Sequence, residues 1–169
     1  LDAALPFYFI DIALAAGAQL GNLSGAWRTQ VVLEQALKNS KLAGGVFYPP
    51  GDSMFQVNKY GERVVDEHRN YNDRTEIHGV YDPGRAEFKN QLLFMIYDQR
   101  SAEAFAGIYP YPEVPTDSPF VIAAESLDAL TENLQQRLSD LAAQTGGVSL
   151  DAEFSENLNA TMARRSEDR

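Results

Sequence analysis

The middle of the chain is divided by turn signals into segments that are too short for ordinary helices. A Pro-Pro-Gly run at 49–51, a Tyr-Gly pair at 60–61 and an Asp-Pro-Gly run at 82–84 interrupt short apolar stretches. Glycine and proline favour tight turns, and short apolar runs between turns are typical of strands. The segments 54–58 and 63–66 therefore predict one β-hairpin.

The C-terminal third has the opposite character, because its apolar residues recur at helical spacing. Ser126 precedes a leucine-rich stretch, and Asp151 precedes a stretch that places Phe154, Leu158 and Met162 on one face. Serine and aspartate are favoured capping residues at the start of a helix. Two helices are therefore predicted, with two glycines between them that end the first.

The remaining segments predict a mixture of helices and strands. Residues 6–20 and 27–38 have helix-forming composition, and 101–106 predicts a short helix. The continuous apolar run 91–98 has the length of a buried strand, and 120–123 predicts a last strand. The predicted fold is therefore α+β, in which a small, mostly antiparallel sheet is flanked by N-terminal and C-terminal helices.

The length and charge of the chain argue against several classes of protein. Its 169 residues, of which 44% are hydrophobic, suffice for a single domain with a buried core. The formal net charge of −10 argues against nucleic acid or an anionic membrane as the main partner, because phosphate repels such a surface. No apolar run approaches the roughly 20 residues that span a bilayer, so no membrane span is expected. No basic region precedes the apolar N-terminal stretch, so a secretory signal is not expected and the predicted location is cytoplasmic.

Most familiar catalytic and binding motifs are missing from the sequence. There is no cysteine, which excludes disulfides, thiolate zinc sites and cysteine nucleophiles. There is no G-x-G-x-x-G after a strand to cradle a pyrophosphate, no P-loop, no H-E-x-x-H and no G-x-S-x-G. His68 and His78 lie in a polar segment, where solvated loop residues are a simpler interpretation than a metal pair.

The segment GDSMFQVNKYGERVVDEHRNYNDR carries the most specific pattern in the chain. It reads V-N-x-x-G-x-R-V-x-D-E, in which the last residue is Glu67, and Tyr71 follows four residues later. By composition alone this segment is a turn with a solvated charged rim. The pattern resembles the V-N-x-x-G-K-R-F-x-N-E stretch in the capping domain of FAD-dependent fumarate reductases and 3-ketosteroid dehydrogenases.

Further stretches resemble the same family and follow in the family's order. ALAAGAQLGNL is similar to the helix by which the family's chain leaves the FAD domain, and LLFMIYDQR is similar to an apolar strand of the cap. ESLDALTENLQQRLSDLA and LDAEFSENLNATMARR are similar to the helix pair after which the chain returns to the FAD domain. The resemblance implies that residues 1–169 form a single capping or substrate domain, with the FAD-binding domain absent from this chain. FAD then belongs to the parent protein, and the isolated chain is expected to bind none and to be inactive.

The spacing around Glu67 favours the ketosteroid dehydrogenase branch of the family. Fumarate reductases have an arginine three residues after this glutamate, where the chain has Asn70, and Arg69 lies one residue early. The other branch has E-x-x-x-Y, which Glu67 and Tyr71 match. The resemblance implies that Tyr71 is catalytic and helps to remove the acidic proton beside a substrate carbonyl, while the flavin takes a hydride from the neighbouring carbon. The implied reaction is α,β-dehydrogenation of a steroid-like ketone, or the reverse ene reduction.

The residues predicted to bind the substrate lie in two segments. Glu67 and Arg69 belong to the motif region, while Phe47 and Tyr48 belong to the aromatic run GGVFYPP. The resemblance implies that they face an apolar, ketone-like small molecule beneath the FAD-binding domain of the parent protein, which is the expected protein partner. In the isolated chain this face would be partly exposed, so self-association through it is also predicted.

Two other functions are compatible with the residues. The aromatic, proline-rich stretch YPYPEVPTDSP would suit a non-catalytic acidic binding module, in which the aromatic loops make the contacts. A hydrolase that uses Glu67 with Asp73 or Asp82 rests only on abundant carboxylates, which are usually solvated surface residues.

Overall fold

Helices lie toward both ends of the chain and two short antiparallel ribbons lie between them, which confirms the predicted α+β class. The structure, a computed structural model, describes residues 8–22, 25, 27–39, 50–51, 53–115 and 117–167. None of the helices in these residues is long and apolar enough to cross a membrane. In chain order the elements are α1 (Tyr8–Ala15), α2 (Leu33–Lys38), β1 (Met54–Val57), α3 (Tyr71–Thr75), a 3₁₀ helix (Glu76–Gly79), β2 (Tyr81–Asp82), β3 (Glu87–Phe88), β4 (Phe94–Tyr97), α4 (Gln99–Ala104), α5 (Leu127–Asp140), α6 (Ala142–Thr145) and α7 (Phe154–Glu167).

β1 pairs in antiparallel register with β4, and not with the segment that follows it. Val57 lies opposite Phe94 in this ribbon. The predicted hairpin between 54–58 and 63–66 is therefore wrong as a pair of strands. In the described residues the two segments share one bridge, between Val57 and Arg63, beside a backbone hydrogen bond from the N–H of Asn58 to the carbonyl oxygen of Glu62. Alternating apolar residues indicate a strand but do not choose its partner, and the more apolar β4 offers a larger surface to pack against.

The core lies between the β1–β4 ribbon and the two long C-terminal helices. Its buried apolar side chains are Phe55, Val57, Leu134, Phe154 and Leu158. Fully burying an apolar side chain of this size contributes roughly 1.5–3 kcal/mol relative to leaving it in water. The ribbon is thus held by helices that follow it far along the chain.

The two predicted C-terminal helices are present, but the first is interrupted at Leu141, so the predicted glycine stop ends the short helix α6 and not α5. Ser126 accepts a hydrogen bond from the backbone N–H of Ala129 at 3.2 Å, as expected of a capping residue, and Gly146 ends α6 with φ 71°. On α7 the first two predicted core residues are buried, but Met162 is 38% exposed and the inward position is taken by Thr161. The inward face of α7 therefore becomes more polar toward its C-terminus.

The N-terminal helices are shorter than predicted. In the described part of 6–20, α1 ends early because Gly17 adopts φ 85°, a left-handed conformation that stops a helix. The predicted helix 27–38 is confirmed only over α2. The residues before α2 form no helix, and among them the backbone N–H of Arg28 donates to Oδ1 of Asn72 at 2.9 Å. A tertiary contact therefore fixes the backbone here, in a stretch that precedes the helix.

The remaining segments confirm some predictions and correct others. A helix is present close to 101–106, although α4 begins two residues earlier. The run 91–98 is a strand only over β4, and it is half-buried because one side faces a cleft. The predicted strand at 120–123 is wrong, since these residues have no sheet partner and line the same cleft. The turn at 82–84 is confirmed, because Asp82 Oδ1 accepts the N–H of Gly84 at 2.8 Å between β2 and β3.

Candidate functional site

A cleft of about 1120 Å³ lies between β4, α5, the segment before α2 and the proline-rich loop after α4. Ligand sites are typically clefts of roughly 300–1,000 Å³ that are mostly apolar with a few polar groups. Most of the described lining fits this pattern. Its apolar members include Val31, Leu93, Phe94, Ile96, Phe120, Val121, Ile122, Leu130, Leu134 and Leu138.

The proline-rich loop forms one wall of the cleft and is anchored by a buried tyrosine. Tyr111 is 2% exposed, and its hydroxyl donates to the carbonyl oxygen of Pro50 at 3.2 Å. Its ring packs edge-on against Tyr97 of β4, with centroids 4.8 Å apart. Burial raises the pKa of Tyr111 to about 12, so the hydroxyl keeps its proton. Pro112 and Val114 of the same loop face the cleft on this fixed support.

A connected set of polar side chains lies at the cleft, and we call it the glutamine cluster: Gln30, Gln56, Arg74 and His78. Gln30 Oε1 accepts hydrogen bonds from Gln56 Nε2 and from Arg74 Nη1, both at 3.1 Å. Gln30 Nε2 lies 3.0 Å from His78 Nε2, and His78 Nδ1 lies 2.7 Å from the carbonyl oxygen of Asn90. Both glutamines and the histidine line the cleft. They offer a ligand hydrogen-bonding groups in an otherwise apolar setting.

Gln56 contributes an unsatisfied atom to the glutamine cluster. The residue is 3% exposed, and its Oε1 has no hydrogen-bond partner in the described part of the chain. Its backbone N–H donates to Glu67 Oε1 at 2.7 Å, which fixes this point of β1. Buried polar atoms in native proteins are nearly always paired. The oxygen itself is closed off from the cleft, so it is an acceptor buried inside the fold and not an exposed group of the cleft wall.

Glu67, a predicted substrate-binding residue, lies inside the fold. Its side chain is 1% exposed and accepts hydrogen bonds from Arg63 Nε at 3.1 Å and from Arg63 Nη2 at 2.5 Å. With the N–H of Gln56, these donors compensate a carboxylate that would otherwise be costly to bury. The hydrogen bond from Gln56 ties the segment before α3 to β1, and the ion pair fixes the carboxylate within that segment.

Arg69 and Tyr71, the other described candidates, lie nearer the surface. The side chain of Arg69 is 74% exposed and lies 3.7 Å from Asp66. Tyr71 is half-buried at the start of α3, with its ring centroid 6.1 Å from that of Trp27. Thr75, at the other end of α3, lines the cleft. Since a helix rises about 1.5 Å per residue, Tyr71 begins about 6 Å along the helix axis from the cleft wall.

The predicted site residues are thus not brought together at the cleft. The described lining of the cleft includes none of Glu67, Arg69 and Tyr71. Phe47 and Tyr48 lie outside the described residues. Conversely, the glutamine cluster was not predicted, because no motif or periodicity links its members in the sequence.

The Val-Asn-x-x-Gly part of the motif builds a buried turn. Asn58 is 0% exposed, and its Oδ1 accepts the backbone N–H groups of Tyr60 at 2.9 Å and Glu62 at 3.2 Å. Gly61 follows with φ 75°, and its carbonyl oxygen accepts a hydrogen bond from Thr161 of α7 at 3.3 Å. These residues position α7 against the turn that follows β1.

The two histidines have different surroundings. His68 has a side chain that is 63% exposed and lies 3.7 Å from Asp66, in agreement with a solvated loop residue. His78 is half-buried in the glutamine cluster, so the same prediction is wrong for it. Within the described part of the chain no group of three or more His, Asp or Glu is placed to hold a metal ion.

Two comparisons with known proteins found no match for this chain. No protein-family model matches the sequence. No curated protein matches it either. The family resemblance carried by the motif stays a prediction.

Proposed function

We propose that this chain binds an apolar, ketone-like small molecule in the cleft and serves as the substrate-capping domain of an FAD-dependent oxidoreductase. The observation that carries the proposal is the cleft itself, about 1120 Å³ in volume with a mostly apolar described lining. Such a site gains affinity from apolar burial and orientation from a few polar groups. The reaction would be α,β-dehydrogenation of the ketone or the reverse ene reduction.

The charges at the cleft favour a neutral ligand. Arg137 pairs with Glu34 at 3.1 Å, and Arg28 pairs with Glu76 at 2.8 Å. Three of these four residues line the cleft, and each pair already neutralises its own charge. A charged ligand would give up its hydration without gaining a free counter-ion from these groups.

Tyr71 is the residue that would handle the ligand's acidic proton. It lies beside Trp27, whose side chain is 83% exposed and which immediately precedes the cleft-lining Arg28. A second domain closing over this surface would exclude water from the tyrosine and the cleft entrance together. Glu67 would be a positioning residue, because its ion pair with Arg63 holds the segment that leads into α3.

FAD would be held by another domain of the parent protein. In the described residues β4 enters α4 through Asp98, which caps the helix, and not through a glycine-rich turn. These residues therefore form no cradle for a pyrophosphate. Bound flavin supplies hydride transfer, whereas this chain would supply binding, orientation, exclusion of water and a proton acceptor.

A non-catalytic binding module is the second candidate, and one observation favours it. The cleft is walled by the proline-rich loop, yet Glu67, Arg69 and Tyr71 are absent from its described lining. Ligand binding without chemistry would need only the cleft. The two candidates differ in whether Tyr71 affects turnover in the complete parent protein.

The first experiment measures binding of a steroid ketone, androstenedione, to the purified chain by equilibrium dialysis. We expect saturable binding to one site, and we expect Val121→Trp to weaken it by about tenfold or more, because the indole fills a cleft-lining position. Val80→Trp is the matched control, since Val80 is exposed and does not line the cleft. No binding by the wild type, or equal loss in both variants, would overturn the proposal.

The second experiment separates the cap from the binding module. If the chain is a cap, the parent protein contains a strand, a G-x-G-x-x-G turn and a helix outside these residues. In that protein we expect Tyr71→Phe to lower kcat by about 10²–10⁴-fold while ketone affinity changes little. A parent protein without that fingerprint, or a fully active Tyr71→Phe variant, would favour the binding module.

A further inference from the structure

The edge of β4 that faces away from β1, which we call the outer edge, has no strand beside it in the described residues. All four residues of β1 are buried, whereas all four residues of β4 are half-buried, whichever face their side chains point to. Side chains alternate between the two faces of a strand, so exposure that does not alternate indicates an open edge. Such an edge carries a row of N–H and C=O groups that can pair with another strand.

The hydrogen bonds of β1 show which backbone groups of β4 point outward. In an antiparallel pair, two opposite residues either exchange both of their backbone hydrogen bonds or point these groups away from each other. Gln56 lies opposite Met95, and its N–H donates to Glu67 Oε1 at 2.7 Å and not to Met95. Met95 therefore directs its N–H and C=O to the outer edge, and Tyr97, two residues later, does the same. No hydrogen bond joins these four groups to any part of the chain that the structure describes.

The cleft follows this outer edge. Every residue in 91–99 lines it, without the alternation that a cleft on one face of the strand would produce. Its lining also includes leucines of α5, which pack on one face of the ribbon, and members of the glutamine cluster, which lie on the other face. A cleft that reaches both faces must pass round an edge, and the far edge of β1 is occupied by the segment that follows it. The outward groups of Met95 and Tyr97 therefore open into the cleft.

Another wall of the cleft contains a second stretch of unpaired backbone. Residues 121–124 line the cleft and belong to no helix or strand. Of their backbone N–H groups, only that of Val121 donates within the described residues, to the carbonyl oxygen of Ser118 at 3.1 Å. Covering such groups is costly unless the covering molecule pairs with them. A peptide, whose donors and acceptors alternate along its main chain, can pair with these groups, whereas an apolar ketone only fills the volume.

We propose that the cleft binds an extended, uncharged peptide segment of a partner protein, which adds to the outer edge of β4 as a third strand. The charge of the lining fits such a segment, because its charged side chains in the described residues are two arginines and two carboxylates, although the whole chain carries a net charge of −10. Addition of a strand to a sheet edge is a recurring mode of peptide recognition, in which main-chain hydrogen bonds supply the affinity. The inference goes beyond the proposed function and does not rest on it; the peptide and the ketone would compete for the same cleft.

The two faces of the ribbon predict the side chains of the added strand. Residues that lie beside Phe94 and Ile96 would face the apolar side, where these two residues pack against the core. Residues that lie beside Met95 would share the face of the glutamine cluster, whose side chains suit hydroxyl or amide groups. The partner segment is therefore expected to alternate apolar residues with uncharged polar ones.

The test uses a short peptide of alternating threonine and valine with blocked ends, and the same peptide methylated on its inner amide nitrogens. Methylation keeps the side chains and removes the main-chain donors. We expect the first peptide to bind saturably and to slow hydrogen exchange at the amides of Met95 and Tyr97 by about tenfold or more, measured by NMR. The amides of Phe94 and Ile96 already face β1 and should change less. The methylated peptide should bind more weakly by about tenfold or more.

Three results would overturn the inference. Equal binding of the two peptides would mean that apolar burial alone fills the cleft. No binding, or binding without an effect at Met95 and Tyr97, would mean that the outer edge accepts no strand. Slow exchange at these amides in a dimer of the free chain would assign the edge to a second copy. Binding of androstenedione is measured separately, so the proposed function and this inference can fail independently.

Met95→Pro tests the outer edge from the side of this chain. Proline lacks the N–H group and is tolerated on an edge strand where that group points outward, so the variant should bind the unmethylated peptide more weakly by about tenfold or more. Met95→Leu is the matched control, because it keeps the N–H and a side chain of similar size, and its affinity should stay within about a factor of two of the wild type. Unchanged affinity in a folded Met95→Pro variant would contradict pairing at this residue; the comparison of the two peptides on the wild-type chain decides the inference even if this variant does not fold.

Discussion

At Gly61 the start of α7 approaches the turn after β1 closely. The φ of Gly61 is 75°, and a Cβ built on it would lie 2.3 Å from the carbonyl oxygen of Phe154 and 2.9 Å from the backbone nitrogen of Leu158. Both are backbone atoms, so the contact is relieved only if the start of α7 moves away from the core. We expect Gly61→Ala to lower the free energy of unfolding by about 2–4 kcal/mol in a urea titration followed by circular dichroism.

Gly79→Ala is the matched control for this prediction. Gly79 ends the 3₁₀ helix, is exposed and would place a Cβ in open space. Its substitution should change the free energy of unfolding by no more than about 0.5 kcal/mol. If the two variants unfold at the same urea concentration, the approach of α7 to Gly61 does not constrain the residue type.

At the scale of single residues, the sequence pattern identified positions that require a particular residue type, but not whether folding or binding requires it. The spacing of the motif singled out Asn58, Gly61 and Glu67, and all three are buried. A buried turn and a binding site both demand particular residue types, so a pattern alone does not distinguish them. Gln30 and Gln56 could not be paired in advance, because they meet across 26 positions and depend on where the segment before α2 lies.

The N-terminus of α5 depends on one capping side chain. Ser126 Oγ accepts the N–H of Ala129 at 3.2 Å, and the 14-residue helix that follows carries Leu134 and Leu138, which line both the core side and the cleft. Without a cap, one more N–H of the first turn lacks a partner. We expect Ser126→Ala to lower the free energy of unfolding by about 1 kcal/mol, measured by urea denaturation.

Ser139→Ala on the same helix is the comparison for the cap. Ser139 is exposed near the end of α5, and its Oγ donates back to the carbonyl oxygen of Gln135 at 3.0 Å, a bond that does not help a helix interior. Alanine has the higher helix propensity, so this variant should be neutral or slightly stabilised. If Ser139→Ala lowered the free energy of unfolding as much as Ser126→Ala does, the capping hydrogen bond would not account for the loss in Ser126→Ala.

Elements with strong local signals could be predicted, and elements that depend on partners could not. α5 and α7 follow from apolar residues at helical spacing and from the side chains that precede them. β1 pairs with β4 although α3, the 3₁₀ helix and β2–β3 lie between them in the chain. The alternation of apolar residues in a strand does not indicate which other strand it pairs with. The segment 120–123 is apolar because it faces the cleft. Its composition is therefore the same as that of a buried strand, although it forms none.

The whole molecule is acidic, and its stability should depend on two opposing effects as the pH falls. With 24 acidic and 14 basic side chains, the net charge of −10 opposes compactness near neutral pH, and partial protonation relieves this repulsion. Against this, the hydrogen bonds that Glu87 accepts from Lys59 and then from Tyr60 hold its pKa below the ordinary value. Burial opposes ionisation of Asp98, yet hydrogen bonds from Ser53 and Ser101 keep its pKa lowered as well.

A lowered pKa in the folded state fixes the sign of the acid effect. Such a carboxylate contributes stability that is fully present above its ordinary pKa, which is 4.5 for Glu87, and that is lost as the pH falls below it. We therefore expect the urea midpoint to change little or to rise between about pH 7 and pH 5, and to fall below about pH 4. The Glu87→Gln variant should be less stable than the wild type near pH 7, and the difference should shrink as the pH falls through the lowered pKa of the wild-type carboxylate. Glu132→Gln, at an exposed position of α5, should follow the wild-type profile throughout. A difference between Glu87→Gln and wild type that stays constant with pH would show that the bonds from Lys59 and Tyr60 do not depend on the charge of Glu87.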